Sequence, residues 1–118
     1  RSRLPAMVRA IEEISRRFHL TIGTFGHAGD GNLHPTILTD RRDKAEWKRV
    51  EAAIDAIFER ALALGGTLSG EHGIGIAKAK YMSREVGRGT LLYSRKIKQV
   101  LDPHNILNPG KILGDEHA

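Results

Sequence analysis

The sequence predicts a mixed α+β chain in the order helix, strand, strand, long helix, short strand, helices. Three patterns carry that reading. Apolar residues recur at intervals of three and four over residues 3–18 and again over 44–64, the spacing of one helix face. Two runs rich in β-branched or aromatic residues lie between them, Thr21-Ile22-Gly23-Thr24-Phe25 and Pro35-Thr36-Ile37-Leu38-Thr39. A break at Gly29-Asp30-Gly31 joins these runs, so they read as two arms around a tight loop.

In the first helix Leu4, Met7, Val8, Ile11, Ile14 and Phe18 form the apolar face, and Pro5 is tolerated because it falls in the first turn. His19 follows that helix, where a cation suits the negative end. Asp43-Lys44-Ala45-Glu46 resembles a capping box and opens the second helix. Its buried stripe is predicted to be Trp47, Val50, Ile54, Ile57, Phe58, Ala61 and Leu62. Gly65-Gly66 stops it, one glycine taking the left-handed cap. Thr67-Leu68-Ser69 reads as a short extended piece, and Ile76 to Val86 as one or two helical turns. Thr90 can cap a last helix through Leu101, with Leu92, Tyr93, Ile97, Val100 and Leu101 inward, and Asp102-Pro103 ends it. The tail from Asn105 to Leu113 is turn-rich and apolar and should pack on something. Gly114 to Ala118 is expected to fray.

The chain has 118 residues, which suits one domain, and no linker or internal repeat is visible. With no cysteine, disulfides, thiolate zinc sites and iron–sulfur ligands are excluded. Any metal must use histidine and carboxylate, a donor set for Zn, Mn or Fe. No apolar run approaches the roughly 18 residues of a membrane-spanning helix. The net charge is +5, but the cations are interspersed with acids. Aromatic residues make up only 5%, too few for a base-stacking surface, so no nucleic-acid partner is expected.

Two segments carry candidate chemistry. In Gly26-His27-Ala28-Gly29-Asp30-Gly31-Asn32-Leu33-His34 the two histidines stand seven positions apart. Antiparallel arms with His27 facing His34 would project both imidazoles from one face. Alone, such a pair reads more readily as a polar hairpin tip with merely exposed histidines. The second segment is Gly70-Glu71-His72-Gly73-Ile74-Gly75, with an acid beside a potential base and three glycines in six residues. It is neither a Walker A loop nor a dinucleotide fingerprint. His27, His34 and Glu71 together make a ligand set that leaves coordination positions open. In extended backbone Glu71 and His72 would point apart, one toward the ion and the other toward a different wall of the pocket, where a neutral imidazole suits a general base.

Gly26 to Pro35, Gly70 to Gly75 and the run Leu107-Asn108-Pro109-Gly110-Lys111-Ile112 resemble the C-terminal domain of FAD-linked oxidases. These are flavoproteins of the vanillyl-alcohol-oxidase type. The nearest subgroup is the glycolate oxidase flavin subunit with its D-lactate and D-2-hydroxyglutarate dehydrogenase relatives. The resemblance implies an antiparallel sheet covered by helices, part of a ferredoxin-like substrate domain. It implies oxidation of a small D-2-hydroxy acid to the 2-oxo acid by hydride transfer to FAD. His27, His34 and Glu71 match the family's metal ligands and His72 its base. Asn108 matches a position near the flavin ring, and Asn32 is placed on the flavin side by its nearness to His34. The resemblance further implies that the N-terminal FAD domain lies outside this sequence, so the chain alone is expected to bind no FAD and not to turn over. Iron–sulfur or other electron-transfer subunits are the expected partners. The expected location is the cytoplasm, or the membrane through partner subunits. Apolar surface and a sheet edge left uncovered would drive self-association.

Two rival readings make different predictions. A stand-alone metal-dependent hydrolase would cleave esters or amides with added Zn or Mn and without flavin. A basic nucleic-acid-binding domain would bind DNA or RNA in a salt-sensitive way, unaffected by His27→Ala.

Overall fold

Leu4–Phe18 forms helix α1, with Pro5 in the first turn as its missing N–H requires. Ala10, Ile11 and Ile14 are its buried residues. His19 closes it in the left-handed region at φ 51°, while its N–H donates to the Arg16 carbonyl. Ser15 fixes the exit, its hydroxyl donating to the Leu20 carbonyl at 2.6 Å. This computed structural model describes residues 1–113; the expectation for Gly114 to Ala118 lies outside the described residues.

Strands β1 (Thr21–His27) and β2 (Asn32–Leu38) pair antiparallel and follow directly. The register sets Ile22 opposite Ile37, Phe25 opposite His34 and His27 opposite Asn32. Side chains alternate across a strand, so Ile22 and Ile37 share one face and pack on the core. Phe25, His27, Asn32 and His34 belong to the other face. Pro35 sits opposite Thr24. Helix α2 (Lys44–Ala63) begins at Asp43, whose carboxylate accepts the N–H groups of Ala45 and Glu46 at 2.9 Å each. The reciprocal half of a capping box is absent, because the Asp43 N–H donates to the Asp40 carbonyl instead. At the far end Gly65 adopts φ 78°. The N–H groups of Gly65 and Gly66 reach the carbonyls of Leu62 and Ala61, the paired bonds of a Schellman stop.

The core of this first unit is Ile14, Leu20, Val50, Ala53 and Ile57, flanked by half-buried Met7, Phe18, Ile22, Ile37, Trp47 and Ile54. Ala53 is fully buried and was absent from the stripe read off the sequence. Trp47 lies against the core, its indole N–H on Glu51 at 3.1 Å and the Arg41 guanidinium over its ring. An open groove of about 390 Å³ between α1 and β1 involves Ile22 and Thr24, the face of the hairpin away from the histidines.

Backbone contacts divide the chain into two compact units, the second beginning at Thr67. Thr67 to Ser69 forms no strand. Leu68 is buried and its N–H donates to the Glu85 carboxylate at 2.9 Å. A 3-10 turn at Ala79–Tyr81 leads into the short helix α3 (Met82–Glu85) and then α4 (Gly87–Leu101). Tyr81 is buried, with the Lys80 ammonium 4.9 Å from its ring centre. Helix α4 starts at Gly87 without a side-chain cap, so Thr90 is not its boundary. Its inward residue is Leu91, whereas Leu92, Tyr93, Ile97, Val100 and Leu101 are exposed, Val100 by 80%. The inward assignment of those five is therefore corrected: they form an apolar outer face. Among the described residues no helix is long and apolar enough to cross a membrane.

Candidate functional site

The tip of the β1–β2 hairpin is built by backbone constraints. The Asp30 N–H donates to the His27 carbonyl at 2.9 Å and the Gly31 N–H to the Ala28 carbonyl at 3.2 Å. Gly31 takes φ 79°, which few other residues adopt without cost. Gly26 has φ 158°, and a Cβ there would stand 2.2 Å from the Asn32 carbonyl oxygen. Glycine at position 26 thus lets the strands stay paired up to the histidines.

His27 and His34 do not face each other directly. His34 pairs with Phe25, and His27 with Asn32, so the two histidines are diagonal neighbours on the same face. Their ring centres are 5.5 Å apart and the planes nearly perpendicular at 89°. Phe25 packs beside His34, with ring centres 5.3 Å apart. Two imidazoles so disposed suit a shared divalent cation, which needs nitrogen bonds of about 2 Å. Asn32, a cross-strand neighbour of His27, lies on that face too. The aromatic wall at Phe25 was not singled out from the sequence; its alternation with His27 was the available signal.

The second unit holds two further candidates, Glu71 and His72. Extended backbone would splay Glu71 and His72 apart, but this segment is bent, and a Glu71 carboxylate oxygen lies 3.5 Å from His72 Nε2. Both side chains are largely exposed. Gly73 and Gly75 follow in the positive-φ region at 76° and 55°. Farther on, Lys78 is half-buried; burial pushes its ammonium pKa down, and the charge of Glu85 pulls the other way.

Asn108 lies in the tail at φ 49°, its carbonyl accepting the Lys111 N–H. The Ile112 N–H donates to the Gly75 carbonyl at 2.8 Å, tying the tail to the loop that carries Glu71 and His72. A residue the sequence reading treated only as a helix stop organises this tail. Asp102 is the one buried charged residue among those described. Its carboxylate accepts the N–H groups of Ile106 at 3.0 Å and Leu107 at 2.9 Å and pairs with the Lys98 ammonium. The signal available in the sequence was an acid just beyond a helix and ahead of an irregular segment, where free N–H groups need an acceptor.

Comparison with known proteins adds the family. The model for FAD linked oxidases, C-terminal domain, matches residues 1–112. Glycolate oxidase subunit GlcD of Bacillus subtilis is 48% identical over 116 residues, covering 98% of this chain and 25% of the relative. GlcD of Escherichia coli K12 is 36% identical over 117 residues, covering 99% and 23%. A probable mitochondrial D-lactate dehydrogenase of Danio rerio is 39% identical over 112 residues, covering 95% and 22%. The chain thus spans about a quarter of the length of the curated relatives it matches. With nearly its whole length matched in this way, the chain belongs to the FAD linked oxidases, as their C-terminal domain.

Proposed function

We propose that this chain is the C-terminal portion of a flavoprotein dehydrogenase that oxidises a small D-2-hydroxy acid, of the glycolate or D-lactate type, to the 2-oxo acid. The observation that carries the reading is the pair His27 and His34 on one hairpin face, ring centres 5.5 Å apart, in a chain of this family. His27 and His34, with Glu71, would hold a divalent cation: Zn, Mn or Fe by its donors. When bound, that cation supplies Lewis acidity toward the substrate carboxylate and C2 hydroxyl.

His72 accepts the hydroxyl proton. A bound FAD would supply the acceptor for the C2–H electron pair, so that the acid would lose one proton to His72 and one hydride as its C2–O bond becomes a carbonyl. The nearby Glu71 carboxylate favours the imidazolium formed. Asn32 and Asn108 would stand on the flavin side, with FAD held mainly by a domain outside this sequence. Electron-transfer subunits take the electrons onward, in the cytoplasm or at a membrane they attach to.

The test is a Zn²⁺ titration of the protein by calorimetry, set beside glycolate- and D-lactate-dependent dye reduction by the full chain with FAD. His27→Ala and His34→Ala should each weaken Zn²⁺ binding by about a hundredfold, and His72→Ala should lower kcat by about 10²–10⁴-fold. Zn²⁺ binding indifferent to both histidine substitutions would overturn the ligand assignment. Turnover unchanged in His72→Ala would overturn the base.

A further inference from the structure

Helix α4 and the tail beyond it are joined more closely than a surface segment requires. Asp102 holds Ile106 and Leu107 by their N–H groups, Lys98 also donates to the Leu107 carbonyl, and Arg95 donates to the Leu113 carbonyl at 3.2 Å. The tail then gives its Ile112 N–H to Gly75. At Ile112 the backbone stands at φ 65°, a conformation that a β-branched residue adopts only where its surroundings impose it. The strap therefore has a fixed end at Asp102 and a working end at the loop of Glu71 and His72.

We propose that Asp102 is a positioning residue: through the 105–113 strap it holds the Gly70–Gly75 loop, and so sets where Glu71 and His72 stand. This rests on the reading that Glu71 and His72 serve the reaction. The carboxylate suits the task because it accepts from both N–H groups while pairing with Lys98. An amide in its place offers one acceptor oxygen, and alanine none.

The experiment is hydrogen–deuterium exchange on the full chain, wild type against Asp102→Ala and Asp102→Asn, with Zn²⁺ affinity measured on the same samples well below the unfolding temperature. Exchange should rise together in residues 105–113 and 70–75 and remain unchanged in 4–63. Zn²⁺ binding should weaken by about 10–100-fold in Asp102→Ala and by less in Asp102→Asn. Ile112→Gly keeps the N–H and suits the local φ, and should leave the 70–75 loop as protected as in wild type. Raised exchange confined to 105–113 would overturn the proposal, as would unchanged Zn²⁺ affinity in Asp102→Ala. A wild-type protein that takes up no Zn²⁺ would sink the metal reading instead, while the exchange pattern still decides whether the strap holds the loop. Should Asp102→Ala fail to fold, Asp102→Asn carries the comparison, with a smaller expected rise in both segments.

Discussion

Replacing Gly26 by alanine tests whether the hairpin tip needs the backbone described for it. The added Cβ would lie 2.2 Å from the Asn32 carbonyl oxygen, 3.0 Å from the Leu33 Cα and 3.1 Å from the Asn32 carbonyl carbon. A relaxed carbon–oxygen contact is about 3.3 Å, so the overlap is about 1 Å against backbone on the paired strand, where no rotamer change relieves it. Residue 26 must also hold φ 158°, a strain of about 1–3 kcal/mol for a residue with a Cβ. Parting the strands at the tip adds one or two ladder hydrogen bonds at about 1 kcal/mol each. The sum is about 2–5 kcal/mol, a large share of the 5–15 kcal/mol of a typical domain. Urea unfolding followed by Trp47 fluorescence reads it directly, since Trp47 is the one tryptophan and lies against this unit's core. Gly23→Ala is the control: nothing lies within 4 Å of its Cβ, and alanine in a strand gains about 0.5–1 kcal/mol over glycine. If Gly26→Ala unfolds at the same urea concentration as Gly23→Ala, the reasoning about the tip is wrong.

Asp43→Ala removes an acceptor of two backbone N–H groups and should cost about 1 kcal/mol in the same assay. Ala53 is fully buried, so Ala53→Leu should overpack the core and cost about 1–3 kcal/mol by urea denaturation. The Lys98 side chain beside Asp102, aided by the Leu107 and Ile106 N–H groups and opposed by burial, holds its carboxyl below the usual carboxylate range. A lowered folded value means the contribution to stability is complete above the unfolded pKa of about 3.9 and is lost as pH falls through the folded value. Tail protection in hydrogen exchange should therefore decline below about pH 4 in wild type, while Asp102→Asn removes that pH dependence. The exposed face of α4, with Ile106 and Leu107 beyond it, should make the isolated chain associate with rising concentration; a single monomeric species in sedimentation velocity up to high concentration would refute this.

The helices were legible wherever periodicity and punctuation agreed. Leu4 through Phe18 and Lys44 through Ala63 match their apolar spacing, and Asp43 and Gly65 mark ends whose chemistry is local. Helix α4 shows the limit of that method. Its spacing correctly marks an apolar face, but spacing reports only that a face is apolar and says nothing of what covers it. Within this chain Leu91 turns inward and Val100 stands 80% exposed. The bent segment at Glu71 was illegible for a related reason. Three glycines announce freedom of the backbone without saying how it is used, and here it brings carboxylate and imidazole to 3.5 Å rather than apart.

The histidine pair was legible despite a wrong register. The sequence suggested His27 directly opposite His34, whereas the pairing sets His27 against Asn32 and His34 against Phe25. That is a displacement of two residues along the strand, and side chains return to the same face every two residues. The error therefore changed a direct pair into a diagonal one and left both imidazoles on one face. A displacement of one residue would have turned His34 toward the core side, beside Ile22, and Ile37 out to the face of His27. What fixes the parity is the burial of Ile22 and Ile37, which spends the other face of the hairpin on the core. Ile37→Asp should for that reason do more than destabilise. With the apolar face no longer defined, the register loses its main restraint, and His34 should lose its fixed orientation relative to His27. In the protein that still folds at low temperature, histidine ring resonances in NMR spectra report this: one set for wild type, exchange-broadened or doubled signals for Ile37→Asp. A single sharp set unchanged from wild type would mean that the turn bonds at Asp30 and Gly31 hold the register without help from the core.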